Sequence, residues 1–141
     1  MQKNRTLAIL SSGGDAPGMN AAIRAVARTA IGRGCRVLGI QRGFQGLVED
    51  ATVELGLRSV SDIIHRGGTA LYTARSAEFT KPEGFLKALR TLERHGVDAL
   101  AVIGGDGTFR GALELARHGI EVACIPGTID NDIACSEYTI G

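Results

Sequence analysis

Short apolar runs alternate with longer amphipathic segments along this 141-residue chain, and that alternation constrains the fold more than any other feature. Residues 6–10 and 35–40 read as buried strands, and residues 98–103 form the most strand-like run of all. Val122-Ala123-Cys124-Ile125 is too short for a helix and is bounded by turn residues, so it reads as another buried strand. A weak alternation at 52–55 adds a short one. Helical spacing marks residues 19–31 through Ile23, Val26, Ala27, Ala30 and Ile31, and residues 82–95 through Phe85, Leu86, Leu89 and Leu92. A third helix, with Phe109, Ala112, Leu113 and Ala116 inward, runs up to Gly119. Ser59 reads as an N-cap with Asp62 three residues later, which predicts a short helix through Ile63 and Ile64. Residues 41–47 read as a loop. Strands alternating with helices specify an open, mostly parallel α/β sheet with helices on both faces and right-handed crossovers. The length suits one domain, and there is no internal repeat, low-complexity tract or linker.

In such a sheet, ligands bind outside the carboxyl ends of the strands. Three loops leave those ends, at residues 13–18, 104–108 and 127–132. The first follows a strand and opens a helix, which leaves unpaired backbone amides where glycine lets an anion come close. It matches neither the Walker pattern nor the dinucleotide fingerprint, and tight turns need glycine anyway. The third loop carries two carboxylates, Asp130 and Asp132. Acids so placed suit phosphoryl transfer, one accepting a proton from an attacking hydroxyl and the other holding a metal ion or the geometry. Ile125-Pro126-Gly127-Thr128-Ile129-Asp130-Asn131-Asp132 taken alone could equally be a loop whose Asp and Asn residues only make turns. The joint placement of all three loops on one sheet edge specifies a polyphosphate cradle. Its acidic residues are positioned for a metal ion and a hydroxyl nucleophile.

Composition narrows the partners. With 16 basic and 15 acidic residues the formal charge is +1, so no global field argues for nucleic acid or a membrane surface. Met1-Gln2-Lys3-Asn4-Arg5 precedes too short an apolar run for a signal peptide, and no stretch approaches a membrane span. The 20 glycines are roughly twice the usual share and gather at predicted strand ends. Cys35, Cys124 and Cys135 have no metal spacing, and a reduced, cytoplasmic setting accounts for them.

From Leu7 to Gly141 the chain resembles the amino-terminal part of a bacterial-type, ATP-dependent 6-phosphofructokinase. The resemblance is carried by the run from Ser12-Gly13-Gly14-Asp15 to Ile23-Arg24, by Arg66-Gly67-Gly68-Thr69, and by Thr73-Ala74-Arg75 with Glu78-Phe79. It continues through Ile103-Gly104-Gly105-Asp106-Gly107, Pro126 to Asp132 and Tyr138-Thr139-Ile140-Gly141. It implies a Rossmann-like amino-terminal domain over residues 1–141, and transfer of the ATP γ-phosphoryl group to the 1-hydroxyl of fructose 6-phosphate in glycolysis. It makes Asp130 the general base. Thr128, Ile129 and Asp132 line the sugar and phosphoryl pocket, and Asp106 holds Mg²⁺. Gly14, Gly105, Gly107, Ser76 and Thr108 meet the nucleotide, and Arg75 steadies the transferring charge.

Glycine at 107 and 127, where the pyrophosphate-dependent branch has Asp and Lys, implies ATP as donor. Arg24 and Arg28 match phosphate-binding arginines of an effector site for ADP or phosphoenolpyruvate. Leu57 stands where that site has Arg, leaving Arg58 as a substitute. Ala134-Cys135-Ser136-Glu137 departs from the family's Gly-Thr-Asp run. Family members form homo-oligomers, homotetramers at full length, and run to well over twice this length. Their later half grips the sugar phosphate, so the resemblance implies a fragment carrying the nucleotide and catalytic half, with apolar sheet surface left uncovered. The alternatives are an inactive nucleotide-binding module, a pyrophosphate-dependent phosphofructokinase, and a NAD-kinase or lipid-kinase relative. The last explains 104–108 but neither 126–132 nor 66–75.

Overall fold

A computed structural model describes residues 4–140, so Met1, Gln2, Lys3 and Gly141 lie outside the described residues. The elements are β1 (Thr6–Ser11), α1 (Met19–Gly32), β2 (Arg36–Ile40), α2 (Gly43–Glu49) and β3 (Thr52–Leu55). They continue as α3 (Pro82–Arg94), β4 (Ala99–Gly104), α4 (Asp106–Arg117) and β5 (Glu121–Pro126). One five-stranded sheet has the order β3-β2-β1-β4-β5, parallel except for β3, which runs antiparallel to β2. Among the described residues no helix is long and apolar enough to cross a membrane.

The pleat of β1 divides the core. Ala8 and Leu10 face one side with Leu38, Ile40, Leu100 and Val102, beneath α2, α3 and α4. Ile9 faces the other with Val37, Ala101 and Ile103, beneath α1 and the segment carrying Val60, Ile63 and Leu71. The chain leaves β1 toward β2 on one side and β4 on the other, so β1 and β4 flank the point where the strand order reverses. That is where an open α/β sheet leaves a crevice.

Four expectations are corrected. Residues 41–47 are largely helical, as α2, a helix with glycines at 43 and 46 and both caps, Arg42 and Asp50, in the left-handed region. The helix expected from Ser59 is absent, because Ser59 Oγ accepts from Gly56 N at 3.0 Å rather than capping, and Asp62 is left-handed at φ 62°. The strand around Val122–Ile125 is not buried; β5 is an edge strand with no buried residue, and Cys124 is exposed. Leu86, Leu113 and Ala116 do not face inward: α3 buries Gly84, Ala88, Thr91 and Leu92, and α4 buries Thr108, Ala112 and Leu115.

Candidate active site

Backbone bonds set the three loops edge to edge. Ser12 N donates to Ile103 O at 2.9 Å, and Gly127 N donates to Gly104 O at 2.9 Å. The ends of β1, β4 and β5 are thereby laced together just before each loop turns away. Gly104 permits this approach, since a Cβ there would lie 2.5 Å from Thr108 Oγ1 and 2.8 Å from Ser12 O. Gly13 turns the first loop with φ 80°, a conformation that favours glycine. Thr128 Oγ1 accepts from Asp130 N at 3.1 Å, and Thr139 Oγ1 donates to Thr128 O at 2.6 Å, so Thr128 braces the start of the acidic loop.

Between the loops lies a cavity of about 1190 Å³. Its walls include Gly13, Gly14, Arg75, Ser76, Gly105, Asp106, Gly107, Thr108, Gly127, Thr128, Asp130 and Asp132. Of the residues expected at the nucleotide and sugar, Ile129 stands apart, 77% exposed and outside the cavity lining. The expected effector arginines also lie outside it. Arg24 and Arg28 are on α1, and Arg58 is in the turn after β3. Arg28 and Arg58 are exposed, whereas Arg24 is half-buried and its Nε has no hydrogen-bond partner among the described residues.

Asp106 and Gly107 start α4, and Arg110, Gly111, Glu114 and His118 follow along the same wall. Asp106 is the only expected metal ligand on that wall, and Arg110 Nη2 lies 2.9 Å from its Oδ2. Among the described residues no cluster of three or more His, Cys, Asp or Glu could hold a metal alone. A lone carboxylate is a donor set that suits Mg²⁺, which keeps several waters and takes remaining ligands from substrate phosphates. The Asp106–Arg110 pair, an acid and a base four residues apart on a helix, is the pairing that this spacing makes legible in the sequence.

Hydrogen bonds and ring contacts around the cavity give roles to residues that the sequence does not single out for them. Asn20, 4% exposed, donates to Arg66 O and Gly67 O at 3.2 and 3.3 Å and accepts from Ala70 N at 2.6 Å. It thus ties the Arg66–Thr69 motif to α1. Gln45 on α2 accepts from Ser76 Oγ at 2.6 Å, and that same hydroxyl accepts from Phe79 N at 3.1 Å. Ser76 therefore shapes the segment beside Arg75 from within. Phe44 stacks on Phe79 with centroids 4.3 Å apart, and Phe85 meets His118 edge-on at 4.8 Å. These four rings all line the cavity.

Comparison with known proteins follows this geometry. Residues 6–141 match the family model described as phosphofructokinase. The chain is 61% identical over 138 residues to an ATP-dependent 6-phosphofructokinase of Caldanaerobacter subterraneus subsp. tengcongensis, covering 97% of this chain and 43% of that protein. A Clostridioides difficile protein of the same name is 57% identical over 137 residues, with the same coverage of 97% and 43%. The crystal structure of Pichia pastoris phosphofructokinase superposes with a TM-score of 0.94 at 37% identity, over all of this chain and 17% of that one. The chain thus spans less than half the length of the relatives it matches. On the family match across nearly its whole length, the chain belongs to the phosphofructokinase family.

Proposed function

We propose that this chain carries the nucleotide site and catalytic base of an ATP-dependent 6-phosphofructokinase, as a cytoplasmic amino-terminal domain over residues 1–141. The observation that carries the proposal is the opening of Asp106 and Asp130 onto one cavity, from two strand ends joined by the Gly127 N to Gly104 O bond. In this reading the 1-hydroxyl of fructose 6-phosphate attacks the γ-phosphorus of ATP. The bond from that phosphorus to the bridging oxygen breaks, ADP leaves with the electron pair, and Asp130 takes the hydroxyl proton. Bound Mg²⁺ supplies neutralisation of phosphate charge, with Asp106 as its protein ligand. Thr128 and Asp132 hold the acceptor beside Asp130. Arg75, exposed and without an ion pair among the described residues, offers its guanidinium to the transferring group. Gly14, Gly105, Gly107 and Thr108 form the phosphate wall.

ATP rather than pyrophosphate is the donor in this proposal. Gly107 lines the cavity, and a Cβ on it would meet nothing within 4 Å. A side chain there would occupy that space and bring its charge among the phosphates. An effector site for ADP or phosphoenolpyruvate at Arg24, Arg28 and Arg58, and assembly into a homo-oligomer, belong to the same proposal.

A coupled assay for fructose 1,6-bisphosphate, run on this chain and on the chain joined to the remainder of a close relative, tests the reading. Asp130→Ser should lower turnover about 10²- to 10⁴-fold while leaving ATP binding nearly unchanged. Near-normal turnover in that variant would remove Asp130 from its role. A second reading, nucleotide binding without turnover by this chain alone, is favoured by its spanning 43% of its relatives. It predicts product only from the longer form.

A further inference from the structure

We infer that His118 selects the base of the bound nucleotide, favouring a six-membered ring edge that donates a hydrogen over one that presents a carbonyl. The inference rests on reading the cavity as a nucleoside triphosphate site. One wall of that cavity is a face of α4, exposed in turn by Asp106, Arg110, Gly111, Glu114 and finally His118. His118 is twelve residues beyond Asp106, roughly 18 Å along the axis at 1.5 Å per residue. A nucleotide whose phosphates lie against the start of α4 therefore extends its base toward His118. The rings gathered there suit a flat base, because Phe85 meets His118 at 4.8 Å with the planes inclined by 60°.

The backbone fixes what His118 offers that base. Its Nδ1 lies 2.9 Å from Glu114 O, and a carbonyl oxygen can only accept. The neutral ring must then carry its proton on Nδ1, which leaves Nε2 as a lone-pair acceptor. An exocyclic amine, as in adenine, satisfies that acceptor. A ring carbonyl in the same place sets two acceptors against each other, and no hydrogen bond forms between them.

Isothermal titration of this chain with MgATP, MgITP and magnesium tripolyphosphate tests the inference. ATP and ITP differ at the 6-position, and tripolyphosphate has no base. The expected result is about tenfold tighter binding of ATP than of ITP. His118→Phe keeps an aromatic ring against Phe85 and removes the acceptor, so it should bring the two affinities within about twofold with tripolyphosphate unaffected. An unchanged preference in that variant, or no preference in the parent, would overturn the inference while leaving the nucleotide site standing. Failure of all three probes to bind would instead overturn the nucleotide reading beneath it. Nitrogen-15 shifts of the His118 ring in the unaltered chain give an independent check: an Nδ1–H tautomer is expected, and an Nε2–H tautomer would refute it.

Discussion

Two glycines on the same cavity wall are there for different physical reasons. A Cβ on Gly107 points into open space, whereas one on Gly127 would sit 3.0 Å from Ile103 Cγ2 and 3.7 Å from Met19 Cγ. The family resemblance makes both markers of an ATP donor, but at 127 the first obstacle to a side chain is the core. Gly107→Asp should therefore weaken MgATP binding about tenfold or more, with the melting temperature nearly unchanged. Gly127→Ala should instead cost about 1–3 kcal/mol of stability through crowding against Ile103. Thermal melts and nucleotide titrations of the two variants separate these effects. A stability loss at 107 matching that at 127 would show the distinction to be false.

At the scale of elements, α2 and α3 are joined by a clasp that makes acid sensitivity predictable. Asp50, just beyond α2, accepts from His95 Nε2 at 2.5 Å and from Arg94 Nη1 at 2.6 Å, both at the end of α3. The His95 hydrogen bond, with help from Arg94 and against the opposing effect of burial, holds the Asp50 carboxyl below its ordinary value. A folded value below the unfolded one means the clasp contributes fully above about pH 4, the ordinary aspartate range. Its contribution is lost as pH falls through the lowered folded value. Asp50→Asn should flatten the acid limb of a melting-temperature profile below about pH 4, and a profile parallel to that of the parent would refute the linkage. The same elements show where sequence reading succeeds. Continuous apolar runs with glycine turns mark β1, β2 and β4, and through them the glycine-rich wall of the cavity. Helix α2 stayed hidden because Arg42 and Asp50 cap it by backbone conformation, so neither end carries a side-chain capping signal. Ser59 gave a false signal because its hydroxyl closes a turn on Gly56 instead. The faces of α3 and α4 differ from expectation at Leu86 and Leu113, because the buried rows run through Gly84, Ala88, Thr91 and Leu92 and through Thr108, Ala112 and Leu115.

Across the whole molecule, protection from solvent is lopsided. In β4 every residue but Ala99 is buried, whereas in β5 none is, and Val122 and Ile125 reach the two cores only partly. β5 pairs with β4 along one side, so its other row of amides and carbonyls has no strand beside it among the described residues. Amide exchange should therefore divide the sheet. Protons of β1 and β4 should exchange only on global unfolding, while alternate amides of β5 should exchange near the free-peptide rate. The same open edge is a template for pairing with another chain. Light scattering should show association that grows with concentration, and Cys124→Lys, at an exposed edge position, should suppress it while changing stability by no more than about 0.5 kcal/mol. Uniform protection across β4 and β5 in the dispersed chain would mean that some other surface already covers this edge. The lysine would then find nothing to disrupt.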